Sequence, residues 1–170
     1  MRPTLRYLLL IVAFAPSVFA QTSVPEAVLT SNIRTVHGES FRLTDTSPHA
    51  RILFICASWA RLCDFAVKDM NRFKRIYAKR GVEVIGLTNQ NPIKDGGAVK
   101  EFVRRNKIKF PIGWMNDEME AAFTDRKYPG LVPIVIILDD HNRIDSKFVG
   151  YSIRETPNKI VAVLNRLIRR

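Results

Sequence analysis

The chain has 170 residues, 46% hydrophobic and 25% charged, with 8 Gly, 9 Pro and a formal net charge of +11. That composition is globular and excludes a collagen-like, low-complexity or wholly disordered chain. Two cysteines and three dispersed histidines exclude a cysteine-rich scaffold and a zinc finger, and the length suits one ordinary domain that builds its core without staples.

The N-terminus reads as an address. Arg2 and Arg6 form a basic region, Leu8 to Ala15 an apolar one, Pro16 interrupts it, and Val18-Phe19-Ala20 offers small residues at a cleavage site. Residues 1–20 are therefore expected to be a signal peptide cut after Ala20, with an uncleaved anchor as the alternative. Export would place the protein in the periplasm or outside the cell, where a cysteine pair can be a real disulfide. No apolar run reaches the ~18–20 residues of a transmembrane helix, so no stable span is expected after cleavage. Loss of Arg2 and Arg6 lowers the charge from +11 to about +9. The remaining basic residues are scattered as Lys74-Arg75, Lys79-Arg80, Arg104-Arg105 and Arg169-Arg170, without interleaved aromatics. This argues for solubility and loose attraction to an anionic envelope rather than for a nucleic-acid partner.

Residues 21–32, polar and proline-containing, read as a linker. Thr35 to Leu43 reads as two short strands around Gly38. Arg51 to Cys56 is a continuous apolar run, as for a strand buried on both faces. A long helical pattern follows to Arg80, with Phe65, Phe73, Ile76 and Tyr77 on its core face and Lys68, Arg72 and Lys79 opposite. Gly81 is its C-cap. Val82 to Leu87 is a second buried strand, and a polar loop from Asn89 to Gly97 leads to a helix over Ala98 to Lys107. Phe110-Pro111-Ile112 is a short edge segment, followed by a helix around Asn116 to Thr124. Leu131 to Leu138 is a third apolar run, turned at Asp140-His141-Asn142 into Ile144 to Val149. A last helix opens at Thr156 or Pro157, with Ile160, Val163, Leu164 and Leu167 on its face. This order predicts an α/β sandwich with a mixed sheet.

The order of elements and several local residues resemble the thioredoxin superfamily, specifically exported TlpA/ResA-like thiol–disulfide oxidoreductases, over roughly residues 33–168. Ile52-Leu53-Phe54-Ile55-Cys56-Ala57-Ser58-Trp59 stands where that family has a buried strand ending in F-W-A-S-W. Gly81 to Leu87 looks like its next strand, and Phe110-Pro111-Ile112 like its "FP" segment. Val132-Pro133 resembles its cis-proline loop, and Ile136 to Asp139 with Asn142-Arg143-Ile144 its hairpin, Gly150 following. The resemblance implies a three-layer thioredoxin-like domain over 33–170, a mixed central sheet with helices on both faces and an N-terminal strand extension.

The family's chemistry is a C-x-x-C pair at the start of a helix: the first thiolate attacks a substrate disulfide and the second resolves the mixed disulfide. Here the motif is Ala60-Arg61-Leu62-Cys63. Ala60 stands at the attacking position and Cys63 at the resolving one; a methyl group cannot be a nucleophile. A glutathione-peroxidase-like alignment also places Ala60 at the reactive position. Cys56 replaces a family tryptophan, Phe54 a frequent polar residue and Leu62 a frequent proline. Three readings stay open for the cysteines: a relocated Cys56–Cys63 disulfide, a lone Cys63 thiol, or two buried hydrophobes. Trp59 lines the motif by resemblance or is a half-buried aromatic, and Pro133 faces it by resemblance.

Elsewhere, His37, His49 and His141 suit surface or turn roles. Asp139-Asp140 reads as hairpin-turn acids, and Ser58 lacks identifiable His–Asp partners. No cofactor and no metal are expected. Two functions are expected to compete: an oxidoreductase-family protein with at most residual thiol chemistry through Cys63, and a redox-inactive module holding an exported protein or peptide in a groove beside Trp59 and Pro133. A monomer is expected.

Overall fold

The computed structural model describes residues 22–125 and 130–169; the expected signal segment, residues 1–20, lies outside them. Five strands form the central sheet: β3 (Ala50–Ile55), β4 (Val82–Thr88), β5 (Ile112–Trp114), β6 (Ile134–Asp139) and β7 (Ile144–Val149). Their spatial order is β5-β4-β3-β6-β7. β3 runs parallel to β4, and β4 to β5, whereas β6 is antiparallel to both β3 and β7. The sheet is mixed, as its pattern of apolar runs implies.

Every residue of β3 and β6 is buried, and the two sheet faces carry separate cores. Ala50, Ile52 and Phe54 point into one, shared with α2 (Arg61–Tyr77), α3 (Gly96–Arg105) and α5 (Thr156–Leu167). Leu53 and Ile55 point into the other, shared with α1 (Glu26–Thr30) and α4 (Asp117–Phe123). Period-2 alternation puts neighbours on opposite faces, and helices covering both faces require both sets to be apolar. The result is the expected three-layer thioredoxin-like sandwich. A small hairpin, β1 (Ile33–Arg34) and β2 (Ser40–Phe41), laps the β5 edge through a Thr35–Gly113 bridge and a hydrogen bond from Val36 N–H to the Ile112 carbonyl.

Residues 22–32 are not a linker. Ser23 bridges to Arg143, and Ile144 N–H donates to the Thr22 carbonyl at 2.9 Å. Val24, Val28 and Leu29 are buried against the α4 side of the sheet. The polar composition concealed three apolar residues: Val24, ahead of α1, and Val28 and Leu29, which α1 buries.

The face of α2 is the expected one at Phe73 and Tyr77 and differs at Phe65 and Ile76. Its buried stripe is Cys63, Ala66, Val67, Met70, Phe73 and Tyr77, whereas Phe65 and Ile76 are exposed. Small residues at 63 and 66 let the helix start approach the sheet closely, and Phe65 instead lies under the Lys68 ammonium, 5.7 Å from its ring centre. β6 begins at Ile134 rather than Leu131: proline has no N–H to give a ladder, and the Val132–Pro133 bond is cis.

After α2 a short 3₁₀ turn, Ala78–Arg80, ends at Gly81, whose φ is +74°. A methyl group there would enter the left-handed region and meet the His49 ring. Gly81→Ala is therefore expected to lower stability by at least about 1–2 kcal/mol, read from urea unfolding. An unchanged midpoint would contradict that account.

Candidate functional site

The site is built where β3 hands over to α2. Cys56 N–H continues the pairing past the strand end by donating to the Leu87 carbonyl at 2.9 Å. The chain then turns: Ala60 N–H donates to Ala57 O at 3.1 Å, and Cys63 N–H to Ala60 O at 2.8 Å. Gln90, from the loop after β4, clamps this turn by accepting from Ser58 N–H at 2.7 Å. The sequence carried no signal for Gln90, because its partner lies 32 positions away and on another element.

Ala60 is the N-cap of α2, with φ −86° and ψ 109°, and contributes no side-chain cap. It is buried, whereas the adjacent Trp59 is 67% exposed and Leu62 43% exposed. Trp59 is therefore not half-buried. It stands out from the start of the helix beside the position where an attacking thiol would sit.

Cys56 and Cys63 are free thiols with 2% and 0% exposure. Both belong to the core between the sheet and α2. The neighbouring Cys56 thiol holds the Cys63 thiol below its ordinary value against the opposing effects of burial and Asp64. The neighbouring Cys63 thiol and burial push Cys56 well above the ordinary thiol range.

Phe54 is fully buried and packs edge-on against Phe110, with ring centres 6.3 Å apart. No proton acceptor occupies that strand position. The Pro133 carbonyl accepts from Gly150 N–H at 2.9 Å, which fixes the loop to the end of β7, and Leu131 just before it is 45% exposed. On α2, Asp69 accepts from the Tyr151 hydroxyl at 2.8 Å; burial and then Asp69 push that phenol far above its ordinary value.

The remaining sequence candidates lie elsewhere. His37 sits in the β1–β2 connection, His49 N–H donates to the Gly81 carbonyl before β3, and His141 lies in the β6–β7 turn. Asp139 is a turn-forming acid: its carboxylate accepts from His141 N–H, Arg143 N–H and Arg143 Nε at 2.8–3.0 Å. Burial opposes its ionisation, but these donors outweigh burial and hold the carboxyl below its usual range. Among the described residues, no group of three His, Cys, Asp or Glu side chains could hold a metal.

The basic residues, scattered in sequence, are partly gathered in space. Lys68, Arg72, Lys74, Arg75 and Lys79 of α2 and its 3₁₀ extension share a groove with Lys107 and Lys109 and no acidic side chain. Helical periodicity collects Lys68, Arg72, Arg75 and Lys79 on one flank, and Asn71 ties the second segment to it by bonding Lys107 O and Lys109 N–H.

Comparison with known proteins agrees with this architecture. Residues 20–148 match the AhpC/TSA family. Over 134 residues, the chain is 24% identical to the thiol-disulfide oxidoreductase ResA of Geobacillus thermodenitrificans, covering 79% of this chain and 71% of that protein. A thioredoxin-family thiol:disulfide interchange protein from Chlorobium tepidum superposes with a TM-score of 0.66 at 22% identity, over 88% of this chain and 94% of that one. The bacterioferritin comigratory protein of Xanthomonas campestris superposes with a TM-score of 0.68 at 14% identity, over 86% and 98%; at these identities the two structures show a shared fold. The chain belongs to the AhpC/TSA family and is a TlpA/ResA-like member of the thioredoxin superfamily.

Proposed function

We propose that this is an exported protein of the thiol–disulfide oxidoreductase type that has lost the attacking thiol and keeps at most residual thiol chemistry through Cys63. The observation that carries this reading is Ala60 at the N-cap of α2, one turn ahead of a fully buried Cys63. A helix N-terminus stabilises an anion only if the side chain placed there can become one. The methyl of Ala60 cannot, and Cys63 lies out of reach of a protein disulfide. Export rests on the composition of residues 1–20, with cleavage after Ala20. Among the described residues, no helix is long and apolar enough to cross a membrane.

The test is dithiothreitol-driven reduction of insulin by the mature chain, residues 21–170. Turnover near the uncatalysed background is expected. Turnover comparable to an intact C-x-x-C relative would overturn the reading.

A second reading has its own support. Trp59, Leu62 and Leu131 expose apolar surface at the helix start and ahead of Pro133, which suits a redox-inactive module that holds an extended segment of an exported protein or peptide. Under that reading, Trp59→Ala would abolish capture of an unfolded, disulfide-free peptide while leaving the thiols unchanged. Equal capture by parent and variant would remove it.

A further inference from the structure

The groove along the second half of α2 gathers cations that thiol chemistry does not use. Lys68, Arg72, Arg75 and Lys79 form one wall, and Lys107 and Lys109 belong to the other. Asn71, Lys74 and Ala78, at i, i+3 and i+7, form the neighbouring row, which Asn71 ties to the second wall. The groove has a volume of about 750 Å³, and among the described residues no acidic or aromatic side chain lines it. The second wall is held in place. Asn71 Nδ2 donates to the Asn106 and Lys107 carbonyls at 3.4 and 3.2 Å, and its Oδ1 accepts from Lys109 N–H at 2.9 Å. Lys107 follows the α3 C-cap with a φ of +49°, where glycine is usual, and its N–H closes the helix end on the Arg104 carbonyl. A lysine there accepts a disfavoured backbone and adds a cation to the groove. Arg72 pairs with Asp69 at 2.9 Å, whereas no ion pair joins Lys74, Arg75, Lys79, Lys107 or Lys109 to a described acid. The ends of α2 and α3 favour cations in their last turns, which accounts for Lys74, Arg75 and Lys107. It does not account for the missing acids. Like charges around one groove repel, and an anion entering it relieves that repulsion.

We propose that this groove docks an extended acidic segment of a partner polypeptide. Lys68 and Lys79 are eleven positions apart, ~16 Å along a helix, which an extended chain covers in about five residues. Two opposed rows of cations suit carboxylates that alternate on the two sides of such a chain. The aliphatic stems of lysine and arginine, with Ala78 among them, suit its carbon backbone and side-chain methylenes. Lysines outnumber arginines here, and as flexible point charges they select for charge density rather than for one bidentate carboxylate. A flat anionic membrane would reach the outer row on α2 but not the recessed Lys74, which is only partly exposed. A single-stranded nucleic acid would find no aromatic ring on which to stack its bases. Docking here is independent of position 60, which lies eight residues, ~12 Å, ahead of Lys68 on α2.

The experiment follows the fluorescence anisotropy of fluorescein-labelled hexaglutamate titrated with residues 21–170 at low ionic strength. Saturable binding is expected, absent with hexaglutamine and lost at about 1 M salt, where screening leaves a range of ~3 Å. No saturable binding overturns the proposal. Arg75→Glu with Lys107→Glu is expected to weaken binding at least about tenfold. Lys94→Glu with Lys147→Glu changes the net charge equally on exposed residues outside the groove and is expected to leave the affinity within about twofold. Equal losses in the two double variants would reduce the effect to net charge and overturn the groove. Asn71→Ala removes no charge but frees the second wall, so a loss of about threefold or more is expected; unchanged affinity overturns the role of Asn71. Should a variant fail to fold, carbodiimide coupling of bound hexaglutamate to the parent chain decides. Adducts are expected on Lys74, Lys79, Lys107 and Lys109, and an even spread over all surface lysines overturns the site. Vesicles of equal parts phosphatidylglycerol and phosphatidylcholine form the last arm. Sedimentation of the parent with them, abolished by Arg75→Glu with Lys107→Glu while hexaglutamate fails to bind, would assign the groove to a membrane and overturn the polypeptide partner.

Discussion

Ala60→Cys is expected to raise insulin reduction at least about tenfold over the parent chain, because an N-cap cysteine acquires the thiolate that a methyl cannot supply, its pKa falling from ~8.5 toward ~3.5–7.5. The backbone is already shaped for it. Residue 60 is the N-cap with φ −86°, no side-chain hydrogen bond competes at the helix start, and Arg61 adds positive charge at the next position. Cys63 stands one turn further on to resolve a mixed disulfide. Recovery is expected to be partial, since buried Phe54 offers no proton acceptor. The informative failure is a chain that forms the 60–63 bond yet reduces insulin no faster than the parent. The surface around Trp59 would then have diverged from disulfide exchange, and the peptide-holding reading would be the better one.

Arg51→Ala is expected to cost about 3–5 kcal/mol, the range for breaking a buried, hydrogen-bonded ion pair from one side. Arg51, near the start of β3, has a side-chain exposure of 1%. Its guanidinium donates to Glu83 at 2.7 Å, Asn142 at 2.8 Å, the Leu43 carbonyl at 2.7 Å and the Thr46 hydroxyl at 2.9 Å. One side chain thus joins β3, β4, the β6–β7 turn and the segment after β2. Alanine would leave these acceptors without their donor. The measurable consequence is a urea midpoint lower by roughly 1–3 M. Arg51→Lys keeps the charge but not the planar fork, so it should recover only part of the loss. An Arg51→Ala chain within about 0.5 kcal/mol of the parent, the scatter of ordinary surface changes, would show that the network contributes little.

Arg51 also marks where reading along the chain stops being informative. It opens an apolar run, and nothing local distinguishes an arginine snorkelling at a strand end from one whose guanidinium bonds β4, the β6–β7 turn and the segment after β2 from inside. The same limit appears on α2. Its length follows from helical periodicity and its end from Gly81, but the large apolar residues Phe65 and Ile76 pointed to the wrong flank. The face that packs is chosen by how closely the helix can approach the sheet, and that favoured Cys63 and Ala66. Residues 22–32 were misread for a related reason: three buried side chains are too few to register as periodicity, and only the sheet they cover makes them core.

What the sequence by itself determined is the set of properties that live within one element or one position. Runs buried on both faces gave the strands β3, β4 and β6, an alternation of strands and amphipathic helices gave the mixed three-layer sheet, and the methyl of alanine at position 60 offers no nucleophile there. What only the tertiary structure decided is which side chains from different elements meet: Gln90 on Ser58, Tyr151 on Asp69, Arg51 on Glu83 and Asn142, and the basic groove along α2. The physical reason is range. Propensity and periodicity act over a few residues, whereas these contacts depend on the angle of a turn and the separation of a helix from a sheet, which the packing of the whole core sets.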